Sequence, residues 1–190
     1  MINELTSNVN YLPNNRNHTE LDHPNWNIIE VSKVDDKIIK NLLNKLSLGI
    51  SDDFFICFES LIKIGEKAKP SIISFIQENE VNLFIKNILF FILKLIEKKN
   101  ANPPFLLKLY NPDFIIRART IMELEAKGEK ESLKFLLPLI DDPDDSVRWA
   151  LIKMLVSLDL TNNPLVRDIL ESRLNIELNP IIIEKIKEIL

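Results

Sequence analysis

Few residues in this 190-residue sequence have the chemistry to act as a site. His18 and His23, in His18-Thr19-Glu20-Leu21-Asp22-His23, are ligand types for a metal, but they fall in an Asn- and Pro-rich stretch where no regular element would hold a coordination geometry. They are read as solvated polar residues, and no metal site is expected. Cys57 lies on an apolar helical run without a histidine near it in sequence, which makes it a core residue rather than a nucleophile. The carboxylate pairs Asp141-Asp142 and Asp144-Asp145 could in principle supply an acid and a base, yet they flank Pro143 where an apolar run begins, and acids there favour a helix N-terminus. Gly49, Gly65 and Gly128 stand at least 16 residues apart, so no phosphate-cradling loop can be built from them. No catalytic residue and no cofactor are expected.

What remains is a set of cations and one tryptophan suited to binding. Lys86, Arg117, Trp149 and Lys153 are expected on one contact surface. Trp149 could anchor a partner peptide or stack on a base; the competing reading packs it between adjacent helices with Ile152 and Val156. Arg117 and Arg119 could form a small cationic patch, diluted by Glu123 and Glu125. The net charge of −4, with 24 Lys and Arg interspersed among 28 Asp and Glu, argues against an extended nucleic-acid groove. A single cysteine and a polar N-terminus without a signal-peptide pattern predict a cytoplasmic protein. Leu83 to Ile96 is the most apolar stretch, but its 14 residues include Lys86, Asn87 and Lys94, too short and too polar for a bilayer. It is expected as a central helix buried on several sides.

The elements that would position these residues are helices. From Lys134 to Leu158 the chain reads as an apolar helix, an acidic turn around Pro143, and a second apolar helix that takes the proline into its first turn. A shift of 31 positions lays Pro143 on Pro112 and Arg148 on Arg117; another such step back reaches Lys86, and Pro180 with Lys185 keeps the proline-to-cation spacing downstream. The pattern predicts helices from Asp35 to about Gly49, Phe54–Ile64, Lys67–Gln77, Val81–Glu97, Asn102–Tyr110, Asp113–Lys127, Glu129–Ile140, Asp144–Leu158, Asn163–Leu174 and Asn179–Leu190, the last an end cap. All three glycines fall at helix C-termini, where a left-handed backbone suits Gly. Residues 1–34 lack helical periodicity and are expected as a loose arm, with Trp26 to Val31 packing across the first helix pair; residues 35–190 form the helical domain. The fold class is all-α, a right-handed α-α superhelix of about five antiparallel helix pairs.

The phrase Leu-x-Asp-x-Pro-Asp-x-x-Val-Arg-x-Ala resembles the HEAT-repeat consensus, and Phe58 to Pro70, with Gly65 inside it, resembles the HEAT-like repeats named after phycobilisome lyases. The resemblance spans roughly residues 35–190. It implies a structural ladder of turn Asp and second-helix Arg between neighbouring repeats, assigning Asp142 and Arg148, and Asp113 with Arg117, to that role. Cys57 falls where the copy at Ser51 to Ile64 would carry the Arg, so the ladder is expected to stop short there. HEAT-like deoxyhypusine hydroxylases bind iron through His-Glu pairs, and no repeat here has a His. Stacked helix pairs make a curved surface whose concave wall is lined by the second helices, and this predicts a non-enzymatic adaptor or scaffold that binds another protein or peptide there. The alternative is a nucleic-acid-binding or DNA-glycosylase-like protein on the same scaffold, and a third reading is a lyase-like chaperone. A homodimer stays open if the first helix pair is uncovered.

Overall fold

The computed structural model describes residues 34–97 and 105–190, and every regular element among them is helical. The elements are α1 (Asp36–Ser47), α2 (Asp52–Ile64), α3 (Lys69–Glu78), α4 (Leu83–Ile96), α5 (Leu106–Leu109), α6 (Phe114–Ala126), α7 (Leu133–Leu136), α8 (Asp145–Ser157), α9 (Pro164–Leu174) and α10 (Pro180–Ile189). The arm expected over residues 1–34, with its contact from Trp26 to Val31, lies outside the described residues except for Val34, which is buried in the helical core.

The helix starts follow from short polar side chains that satisfy otherwise unpaired N–H groups. Asp35 accepts from the Ile38 amide, Ser51 from Phe54, Asn82 from Ile85, Asp113 from Ile115, Asp144 from Ser146, Asn163 from Leu165 and Asn179 from Ile181. The prolines divide into two groups around these caps. Pro164 and Pro180 follow their Asn caps and occupy the first helical turn, whereas Pro112 and Pro143 precede theirs. The expectation that Pro143 lies within the helix is therefore off by two positions. Its effect is on the residue before it: Asp142 is held extended, at φ −55° and ψ 134°, as a residue before proline prefers.

Two predicted helices come out shorter. Over Glu129–Ile140 there is one α-turn, Leu133–Leu136, continued as a 3-10 turn, Leu137–Asp141, because Pro138 has no N–H to donate and its ring opposes a continuous α-helix. The described part of the Asn102–Tyr110 helix is Leu106–Leu109. The helix α4 buries Ile85, Ile88, Leu89, Phe91, Ile92 and Ile96, but leaves Leu83 and Phe90 exposed, so it is buried on one broad face and not on several.

Packing pairs α1 with α2, α3 with α4, α5 with α6, the 137–141 turn with α8, and α9 with α10; α6 also packs on α8, and α8 on α10. The helix α4 packs on α2 and α3. An aromatic cluster joins the two halves of the chain: Tyr110 meets Phe54 and Phe58 edge to face at 5.7 Å, and its hydroxyl donates to the Phe135 carbonyl at 2.7 Å. Burial pushes the Tyr110 phenol well above its ordinary value, which keeps that donor protonated.

The helix ends yield a stability test. Gly128 and Asp159 both have positive φ, 64° and 53°, and close their helices alike, with Glu129 N donating to Leu124 O and Leu160 N to Leu155 O. A β-carbon at Gly128 would meet nothing within 4 Å, so only the backbone conformation selects Gly there. Gly128→Ala is expected to lower stability by about 1 kcal/mol and Asp159→Gly to raise it by up to about 1 kcal/mol, read by urea unfolding.

Candidate partner-binding surface

The geometry is set by one helical position, the fourth residue after the N-cap. In α6 and α8 that residue is Arg117 and Arg148, and both guanidinium groups turn inward. Arg117 donates from Nε and Nη2 to the two Asp142 oxygens at 2.7 and 2.8 Å, and from Nη1 to the carbonyls of Asn111 and Pro112 at 2.8 and 2.9 Å. Arg148 repeats the arrangement one unit on, donating to Glu177 at 2.8 Å twice and from Nη1 to the Asp142 and Pro143 carbonyls at 2.7 and 3.2 Å. Each arginine thus stitches its own turn and clamps the carboxylate of the next. Planar, forked guanidinium donors suit such bidentate contacts in a way that an ammonium does not.

The acceptors lie two residues before a cap. Asn111, Asp142 and Glu177 occupy that position, and their side chains accept from the amides of Asp113, Asp144 and Asn179 at 2.9 Å. Asp113 is therefore a capping residue and no partner of Arg117; its carboxylate faces the Ile115 amide, and Asp142 is the residue that pairs Arg117. Asp142 and Arg148 meet through the Asp142 backbone carbonyl, while the side chain bound to Arg148 is Glu177. Sequence reasoning missed Glu177; aligning the caps Asp144 and Asn179 instead of the prolines would have found it two residues before Asn179. Lys185, matched to Arg148 by proline spacing, is displaced around α10 because Pro180 follows its cap, and it pairs with Glu188.

On α2 the fourth residue after Ser51 is Phe55, not Cys57, and its ring lies 3.8 Å from the Arg117 guanidinium carbon. On α4 it is Lys86, which is exposed. The column thus runs from Phe55 through Arg117 and Asp142 to Arg148 and Glu177, with α4 outside it. Cys57 is buried, and burial together with Asp53 pushes its thiol up to about 11, against Lys45, so it stays a neutral core group.

The four residues expected on the contact surface separate. Arg117 is 1% exposed and fully engaged, so it cannot meet a partner; the expectation fails because a carboxylate 25 residues away claims it. Trp149, 37% exposed, and Lys153 lie one turn apart on the outer face of α8, continued by exposed Val156. Ile152, by contrast, is buried, so Trp149 does not share an inward face with it. Adjacent α6 exposes Ile115, Arg119 and Met122. Lys86 is carried by α4 and is not part of this pair of helices. The acid pairs are all engaged: Asp142 with Arg117, Asp144 as a cap, Asp141 with Arg173, and Asp145 accepting from Asn179. Among the described residues no three His, Cys, Asp or Glu side chains are grouped to hold a metal ion, and His18 and His23 lie outside those residues. No helix among them is long and apolar enough to cross a membrane.

Compared with known families, residues 103–188 match the model of the HEAT repeats, a span that contains Arg117, Asp142, Arg148 and Glu177 and excludes both Phe55 and the phrase from Phe58 to Pro70. No curated protein and no solved structure matches the chain.

Two predictions test the column. Arg117→Met or Asp142→Leu alone should each cost about 3 kcal/mol or more, since each leaves a buried charge unpaired, whereas the double variant should cost less than either single one; a urea-unfolding cycle measures this. The second concerns acid. Burial opposes ionisation of Glu177, but Arg148, the Asn179 amide and Arg173 outweigh it and hold the carboxyl down to about 2, from an ordinary 4.5. A lowered folded-state value gives stability that is present above pH 4.5 and lost as pH falls toward 2. Asp142 has the opposite sign, because burial raises it despite Arg117. Glu177→Gln should therefore be less stable than wild type at pH 7 and should lose less on acidification between those values, followed by circular dichroism.

Proposed function

We propose that the chain, whose residues 103–188 match the HEAT-repeat model, is a non-enzymatic protein-binding module, an adaptor or scaffold, whose contact zone is the outer face of α6 and α8. The observation that carries this reading is the contrast on α8: Arg148 is locked into the column while Trp149, Lys153 and Val156 are left outward on the same rigid helix. A half-exposed tryptophan on an ordered helix presents large apolar area at little entropic cost, which suits an interface anchor. In this reading the helices form a right-handed superhelix of about five antiparallel pairs over residues 35–190, offset at α4, with residues 1–34 as an arm. The successive pairings from α1 with α2 to α9 with α10 support it. A cytoplasmic setting fits the free, buried thiol of Cys57.

Nucleic acid is the alternative partner, and the column weakens it. Arg117 and Arg148, the arginines that the repeat pattern brings forward, are consumed internally, leaving Arg119 and Lys153 as cations on α6 and α8. Filter binding to duplex DNA at low salt should show no retention; retention that falls steeply with salt would favour this alternative.

The protein-binding reading is tested by placing a photo-crosslinking phenylalanine at position 149 and, as a control, at exposed Glu188, and recovering adducts from native extract. A specific adduct at 149 that is absent at 188 is expected. With the recovered protein purified, Trp149→Ala should weaken binding by about 2 kcal/mol, near 30-fold. Equal adducts at both positions, or unchanged affinity, would overturn the proposal.

A further inference from the structure

Away from α6 and α8 the surface carries two adjoining grooves that share Lys134. One, about 430 Å³, lies among α4, α5 and α7, with Phe90, Phe91, Leu106 and Phe135 as its apolar walls and Lys94 at its edge. The other, about 460 Å³, lies between the 137–141 turn and α9, walled by Leu137, Pro138, Leu165, Ile169 and Ile176. No lining residue of either belongs to α6 or α8. Leu165, Ile169 and Ser172 follow helical spacing on α9 and Ile176 stands in the turn just beyond its end, so this segment turns a largely apolar edge into the groove. Leu165 and Ile176 are more than half exposed, and Phe90 is 46% exposed, a concentration of apolar surface that an isolated chain gains nothing by leaving in water.

The charge around this surface has one sign to spare. Its cations are Lys94, Lys134 and Arg173. Its one lining acid, Asp141, faces Arg173 at 3.4 Å, and Arg173 in turn donates to Glu177. Lys94 and Lys134 have no carboxylate partner among the described residues; Lys134 instead lies 5.0 Å over the Phe135 ring, at the join between the grooves. Asp168 and Glu171 of α9 stand outside the lining. Apolar walls with unneutralised ammonium groups are complementary to a segment that carries apolar anchors with carboxylates beside them.

We propose that the paired grooves around Lys134 are a docking site for an acidic amphipathic segment of another protein, which places apolar side chains against α9 and the aromatics of α4 and α7 and carboxylates against Lys94 and Lys134. The site is separate from the face of α6 and α8, and either can fail without the other.

The test uses a fluorescently labelled synthetic amphipathic helix with a leucine stripe flanked by Glu, and the same peptide with every Glu replaced by Lys, titrated with the full chain. The Glu peptide should bind about tenfold tighter than the Lys peptide, and Lys134→Glu should abolish or reverse that preference. Ile176→Asp should weaken the Glu peptide, while Lys153→Glu and Trp149→Ala leave it unchanged; circular dichroism confirms that the variants, all at exposed positions, remain folded. Absence of binding, equal affinity for the two peptides, or loss of binding through Trp149 or Lys153 would overturn the proposal. So would a concentration-dependent dimer in sedimentation that Lys134→Glu dissociates, since the groove would then be filled by a second copy.

Discussion

Burying a guanidinium is the constraint around which the second half of this protein is arranged. An arginine withdrawn from water costs several kcal/mol unless every donor finds an acceptor in good geometry. Arg117 and Arg148 meet that demand by splitting their donors, with Nη1 fixing two carbonyls of their own turn and Nε with Nη2 taking both oxygens of the next unit's carboxylate. The arrangement works only if the turn, the helix phase and the spacing between units are all correct at once. A caps-and-proline turn supplies the first two: the cap fixes where the helix begins, and the proline before it holds the accepting residue extended. No buried side-chain nitrogen or oxygen among the described residues lacks a partner, so the withdrawn charges carry no unmet hydrogen-bonding cost.

The two carboxylates in the column are not equivalent, and the difference comes from their neighbours. Asp142 has one arginine side chain and is driven by burial toward the protonated form. Glu177 has Arg148 and Arg173 together, and accepts from the amides of Leu178 and Asn179. The column therefore ends on its most firmly ionised member. At the other end it stops on a ring: Phe55 covers Arg117 where a further carboxylate would be unmatched, and the quadrupole of the ring face accepts the cation without adding a charge. Phe54 and Phe58 from the same helix hold Tyr110, so α2 grips the C-terminal end of α5 and, through Phe55, the first turn of α6.

Much of this was legible in the sequence because it is written locally. Ser51, Asp113, Asp144 and Asn179 announce helix starts through side chains that reach only two or three residues, and Gly49, Gly65 and Gly128 announce ends through a backbone conformation. What was not legible depends on pairs far apart. Whether Arg117 is a surface cation or a buried strut is decided by Asp142, and nothing near Arg117 says so. Glu177 escaped because the cap interval changes, from 31 residues between Asp113 and Asp144 to 35 between Asp144 and Asn179, and Pro180 changes sides of its cap. A proline-based register then points to Lys185, which the extra residues rotate off the column. The short helix at Leu133–Leu136 is, in contrast, set locally by Pro138, which outweighs an apolar periodicity that runs on to Ile140.

The column also explains why the outer surfaces are free to vary in chemistry. When the register between α6, α8 and the last turn is held by directional bonds, the helices need no matching apolar pattern on their outer faces to stay in place. Trp149, Met122 and Val156 can then be exposed without loosening the stack, and the groove beside α9 can keep an open apolar wall because Arg173 ties α9 to Glu177 and to Asp141 across it. An ordinary helical core would tend to close over such surface; here the cost of leaving it open is opposed by an internal framework that does not depend on it. The same bonds that withdraw Arg117 and Arg148 from the surface are what let their neighbours on the two helices stay outward without a packing partner.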